Sequence, residues 1–154
     1  LTHSVAYRHS DPCDMKGDPN TPPLDRISDF NVSFKIFNKN LKETVQSTNS
    51  SGYITKDYFE NNTFKLSPGF IDLLSVGSLK GFQITSGVEG CGRFMYYFPI
   101  STSTTLFASR AFIPEFKPII ADYKKYLDIP GIIPPSQEEN YFERILSTFK
   151  FTTQ

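Results

Sequence analysis

The stretch SGVEGCGRFMYYFPISTSTTLFASR, residues 86–110, decides how this chain is to be read. Alternation from Cys91 puts Gly92, Phe94, Tyr96 and Phe98 on one side, and Cys91, Arg93, Met95 and Tyr97 on the other. Both sides are largely apolar, which is the mark of a strand inside a sheet that is covered on each face. The small residues Gly87, Gly90 and Gly92 favour a turn ahead of it, and Pro99 is expected to end it. TTLFASR (104–110) then follows as its antiparallel neighbour.

Working outward, ISDFNVSFKIF (27–37) alternates Phe30, Val32, Phe34 and Ile36 against Asp29, Asn31, Ser33 and Lys35, a half-buried strand. KETVQS (42–47) and GYITKDYF (52–59) flank a turn-rich junction and read as a hairpin, TFKL (63–66) as a short strand, and LKGFQITS (79–86) as another. In LSPGFIDLLSVG (66–77), Ser67 can cap and Pro68 suits a first helical position. Phe70, Leu73 and Leu74 line one side before Gly77, so a short central helix is expected. Phe116, Ile119, Ile120, Tyr123, Tyr126 and Leu127 recur at helical spacing over 115–128, with Pro118 in the first turn. Beyond a stiff connector, IPGIIPP (129–135), Ser136 and Glu139 form a capping box. Ahead of them lies a second apolar stripe of Tyr141, Phe142, Ile145, Leu146 and Phe149, and FKFTT (149–153) reads as an edge strand. Residues 1–28, with four prolines, read as an irregular N-terminal arm, and 29–154 as a single α+β domain. The expected architecture is an antiparallel sheet of five to seven strands, flat or curled toward a barrel, with one short central helix and two C-terminal helices.

The 154 residues carry 16 basic and 16 acidic side chains, mixed along the chain, which argues against a nucleic-acid or polybasic membrane surface. No run approaches the roughly 18 apolar residues of a membrane span. The chain opens on Leu1 rather than Met, so a leader or anchor removed beforehand is expected. Cys13 and Cys91 are the two cysteines. They are either separate buried thiols or one disulfide between the arm and the central strand, and the polar, proline-rich setting of Cys13 favours the bond. Closing so long a loop stabilises by about 4 kcal/mol in the chain-entropy view. A bond of this kind belongs to an oxidising, extracytoplasmic compartment, the periplasm or the cell surface. Three N-x-[ST] triplets, at Asn31, Asn49 and Asn61, are about the number that chance supplies in a chain this rich in Asn, Ser and Thr.

Catalytic chemistry is not indicated. GVEGCGRF departs from G-x-G-x-x-G at Met95 and leads into a strand, so no helix N-terminus stands ready for a phosphate. SVGSLKG misses G-x-S-x-G by one residue. Cys91 paired with His9 as a nucleophile would have only Arg93 to lower its pKa. His3, His9, Asp11, Cys13 and Asp14 match no standard metal-ligand spacing. The carboxylates Asp122, Asp128, Glu138, Glu139 and Glu143 are expected mostly on solvent faces. A non-enzyme with no cofactor and no metal is therefore expected. His3 and His9 are candidate pH-responsive groups, charging below neutrality. The 15 Phe and 8 Tyr are the functional hint with physical content. Phe30, Phe34, Phe82, Phe94, Tyr96, Phe98 and Phe107, taken to share one face, are either core or the lining of an apolar pocket for a lipid, bile salt or similar molecule.

The segments YYFPISTSTTLFASRAFIPEFKPII (96–120) and IPGIIPPSQEENYFERILSTFKF (129–151) run strand, turn, strand, helix and capped helix, with one cysteine ahead. In outline, over 28–154, the chain resembles the small periplasmic companions, or co-regulators, of membrane-anchored winged-helix regulators of fimbriae and virulence. That resemblance implies an outer domain that associates with and protects the regulator's outer domain, and in one such pair a joint lipocalin-like barrel that binds bile salt. The expected function is thus a non-enzymatic extracytoplasmic sensing and binding domain with a protein partner and an apolar ligand. The alternatives are a structural or adhesive surface subunit such as a minor pilin, and a periplasmic immunity or inhibitor protein.

Overall fold

The computed structural model of the chain describes residues 1–11, 17–49, 52–88, 91–112 and 127–151. The elements are β1 (Thr2–His9), β2 (Leu24–Phe37), α1 (Leu41–Thr48), β3 (Phe59–Glu60), β4 (Thr63–Phe64), β5 (Ile71–Val76), β6 (Leu79–Val88), β7 (Cys91–Ser101), β8 (Thr104–Phe112) and α2 (Pro135–Ser147). Six strands form one antiparallel sheet in the order β1-β2-β8-β7-β6-β5, and β3 and β4 form a separate two-stranded ribbon. The class is α+β. The six-stranded sheet is open, with β1 and β5 at its two ends, so no closed barrel is found among the described residues.

Strand β7 lies between β6 and β8, and its alternation sets up the whole molecule. Tyr96 and Phe98 point to one face and Tyr97 to the other, and all three are fully buried. On the first face they pack with Val32, Leu106, Ala108, Phe142 and Leu146, under α2. On the second, Tyr97 packs with Ile71, Ile84, Phe64, and Leu41 and Val45 of α1. Antiparallel register keeps partners on one face, so Phe82, Tyr97 and Phe107, which are paired in that order, share the α1 face. Phe82 and Phe107 are therefore not on the face of Phe94, Tyr96 and Phe98, contrary to the single aromatic face expected from sequence.

Several local expectations change. Residues 42–47 are helix α1, not a hairpin arm. Asn40 and Glu43 form a reciprocal capping box, and Leu41 and Val45, one turn apart, are buried. Residues 71–76 are strand β5, not a central helix. Ser67-Pro68-Gly69-Phe70 is a turn closed by Phe70 N–H to Ser67 O at 2.8 Å, and Gly69 at φ +80° takes the position of a type II turn that needs positive φ. The first nine residues of the arm expected to be irregular include the edge strand β1, whose Val5 and Tyr7 pack on Ile27 with Ile129 and Ile132. Pro99 lies inside β7. The β6 ladder has already ended at Tyr97 and the β8 ladder slips after Pro99, so its missing N–H is tolerated. Helix α2 starts at Pro134-Pro135 with no side-chain cap, so the Ser136–Glu139 box does not form. Residues 149–151 are not strand, and the helix expected over 115–128 lies outside the described residues up to 126.

Candidate functional site

The α2 face of the sheet is apolar except at one place. Arg110 on β8 follows Leu106 and Ala108 inward, and its side chain is 6% exposed. It forms an ion pair with Glu139 of α2, and its guanidinium lies over the rings of Phe94 and Phe142, 5.1 and 5.2 Å from their centroids. A guanidinium survives burial because it is weakly hydrated and aromatic faces attract it. Asp29 is fully buried on β2. Its carboxylate contacts His3 Nδ1 of β1 at 2.7 Å and accepts the Ile133 N–H at 2.6 Å, which straps the edge strand and the 129–133 connector to the sheet.

Glu139 thus pairs with the Arg110 guanidinium, and Glu138 lies within electrostatic reach of Arg110, Asp29 and Glu139. Burial pushes the Glu138 carboxyl up to about 7; Asp29 and Glu139 add to the rise, and Arg110 opposes it. Burial also raises the Tyr96 hydroxyl above its ordinary value, against the pull of Arg110. Against the expectation of mostly solvent-facing carboxylates, Glu138 is drawn inward, while Glu139 pairs with Arg110 and keeps a side chain 46% exposed. They precede Phe142 by four and three positions, so the helical period carries them to its inner face.

Glu138 yields a pH prediction. Between its ordinary value of 4.5 and about 7 the folded chain holds a proton that the unfolded chain releases, so stability falls as pH rises across that window. Glu138→Gln removes the penalty. With the group partly exposed, the variant should be more stable than the native chain by about 1 kcal/mol at pH 8 and equal to it near pH 4.5. Urea melts at the two pH values check this. An equal offset at both would remove Glu138 as the cause.

Beside this cluster an open cleft of about 690 Å³ runs between α2 and the connector, over β2. Phe30, Ile133, Tyr141 and Ile145 line it, together with Arg144, Ser147 and Thr148. Tyr141, Ile145 and Thr148 recur at i, i+4 and i+7, so they form the flank of α2 next to the stripe of Phe142 and Leu146 that seats the helix.

Of the aromatic residues singled out from sequence, Phe30 lines this cleft. Phe34, whose ring packs on Phe142 and Phe149 in the core under α2, and Phe107 line a smaller one, of about 420 Å³, with Lys35, Phe37, Ser47 and Thr48. Phe94, Tyr96 and Phe98 belong to the core under α2, and Phe82 to the core under α1. Tyr97, pushed up to about 12 by burial, bonds Thr48 Oγ1 at 2.8 Å and ties α1 to the sheet. His3 and His9 stand toward opposite ends of β1 and are not brought together. His9 is buried, with Nδ1 at 2.7 Å from Ser10 O and Nε2 at 3.2 Å from Arg26 O. Cys91 opens β7, and Cys13 lies outside the described residues.

Asp128 and Glu143 are exposed, and Asp122 lies outside the described residues. Among the described residues no group of three or more His, Cys, Asp or Glu gathers to hold a metal, and no helix is long and apolar enough to cross a membrane. Comparison with protein-family models, with curated proteins and with solved structures finds no match to this chain.

Proposed function

We propose that this chain is a non-enzymatic binding domain that takes an apolar small molecule into the α2 cleft and signals that occupancy to a protein partner. The observation that carries it is the cleft itself. Its volume of about 690 Å³ falls within the range of small-molecule sites, and its walls are aromatic and aliphatic with a few polar groups among them. Helix α2 forms one wall and also carries Glu138 and Glu139 into the charge cluster, so a ligand that moves α2 would be felt across the sheet. An extracytoplasmic setting, a Cys13–Cys91 disulfide, and a role beside a membrane-anchored regulator of virulence or fimbrial genes complete the proposal. They rest on the sequence and on the resemblance.

A second reading, a subunit that assembles with other envelope proteins, is favoured by edge strand β5. Leu73 on that edge is 66% exposed, and such an edge invites a partner strand. Native mass spectrometry of the protein purified from its own host separates the two. A retained small apolar molecule is expected. A retained protein chain with an empty cleft supports the assembly reading. A bare monomer whose melting is unchanged by decanoate and by decanol overturns the binding proposal.

A further inference from the structure

We infer that the occupant of the α2 cleft is an amphiphile with one anionic headgroup, its apolar part against Phe30, Tyr141 and Ile145 and its charge on the Arg144 guanidinium. This rests on the binding reading above and adds the chemistry of the ligand.

The cleft's hydrogen-bond donors decide it. Three hydroxyls line the cleft, and each has its proton committed within α2. Tyr141 donates to Gln137 Oε1 at 3.1 Å, Ser147 to Arg144 O at 2.8 Å, and Thr148 to Ile145 O at 2.7 Å. A neutral headgroup that needs a donor finds none among them. Arg144 is in the opposite position. Of the five arginines, Arg110 is paired with Glu139, Arg8 lies near Asp25, Arg26 bonds Ser4, and Arg93 bonds Ser109 and Asn31. Arg144 alone has no side-chain hydrogen bond or ion pair among the described residues, and no carboxylate lines the cleft there. A guanidinium with its fork free, at the edge of an apolar groove, suits a carboxylate or sulfate held by two parallel N–H bonds. It repels a cationic head.

The test uses the full chain and three ten-carbon probes below their micellar concentrations: decanoate, 1-decanol and decyltrimethylammonium. Displacement of bound Nile red gives the affinities. Decanoate should bind about tenfold more tightly than decanol, and the ammonium no better than decanol. Arg144→Gln, on an exposed last-turn position, should erase the decanoate advantage and leave decanol unchanged, with an unaltered melting curve as the control for folding. Equal affinities for decanoate and decanol, or a decanoate advantage that survives Arg144→Gln, overturn the headgroup assignment and leave the cleft reading standing. No binding by any of the three overturns both.

Discussion

Replacing Arg110 by methionine should cost about 3 kcal/mol of unfolding free energy at pH 8, measured by urea denaturation. Methionine occupies much of the same volume, so the loss is electrostatic rather than a cavity. The guanidinium is the cation that Glu138 and Glu139 share, and it is capped on two sides by Phe94 and Phe142. Without it, Glu139 can turn to water, since its side chain is 46% exposed. Asp29 keeps His3 and the Ile133 N–H. Glu138, only partly exposed and beside Asp29 and Glu139, loses its counter-charge, and its proton affinity rises further, because Arg110 is what held it down. The cost of Arg110→Met should therefore be largest where Glu138 is ionised and shrink as pH falls toward 5. Adding Glu138→Gln should recover at least about 1 kcal/mol at pH 8. A single variant within about 0.5 kcal/mol of native at pH 8 would mean that the cluster contributes nothing to stability.

This cluster was partly legible in the sequence. Arg110 shares parity with Leu106 and Ala108 in a strand read correctly, and a buried arginine requires a carboxylate. Its partners are harder to see, because the acidic start of α2 has the composition of a solvated cap although Glu138 and Glu139 are in helical phase with Phe142. The double-faced strand was legible because alternation has a period of two and β7 is eleven residues long. Short runs fared worse. The six residues of β5 hold leucines that fit either period, and the choice turned on Pro68, which serves the turn and not a helix start. In α1 the Asn40–Glu43 box is visible, yet the polar run between Leu41 and Val45 also fits a period of two. The alternation of β1 is masked by the proline-rich residues that follow it. The cleft could not be read at all, because it depends on where α2 sits over β2 rather than on any residue type.

Phe142→Ala should be the most damaging single truncation in α2, costing about 4 kcal/mol. The ring is fully buried, 4.3 Å from that of Tyr96 and 6.2 Å from that of Phe34, and it forms one wall of the Arg110 site. A helix of 13 residues is too short to persist alone, so α2 is helical because Phe142 and Leu146 seat it on the sheet. Truncation leaves a void between α2 and β7 and strips one aromatic face from the guanidinium, and the two losses reinforce each other because the groups touch. Ile145→Ala, at the half-buried rim of the cleft, should cost less than half as much. Phe142→Leu should fall between them. Hydrogen exchange adds a local readout: the amides of α2 should lose protection in Phe142→Ala while those of β7 and β8 keep theirs, since the α1 side of the sheet is untouched. If Phe142→Ala costs no more than Ile145→Ala and α2 stays protected, the helix is held by its charges, and a ligand in the cleft would have to act through Arg110 and Glu139 instead of through aromatic packing.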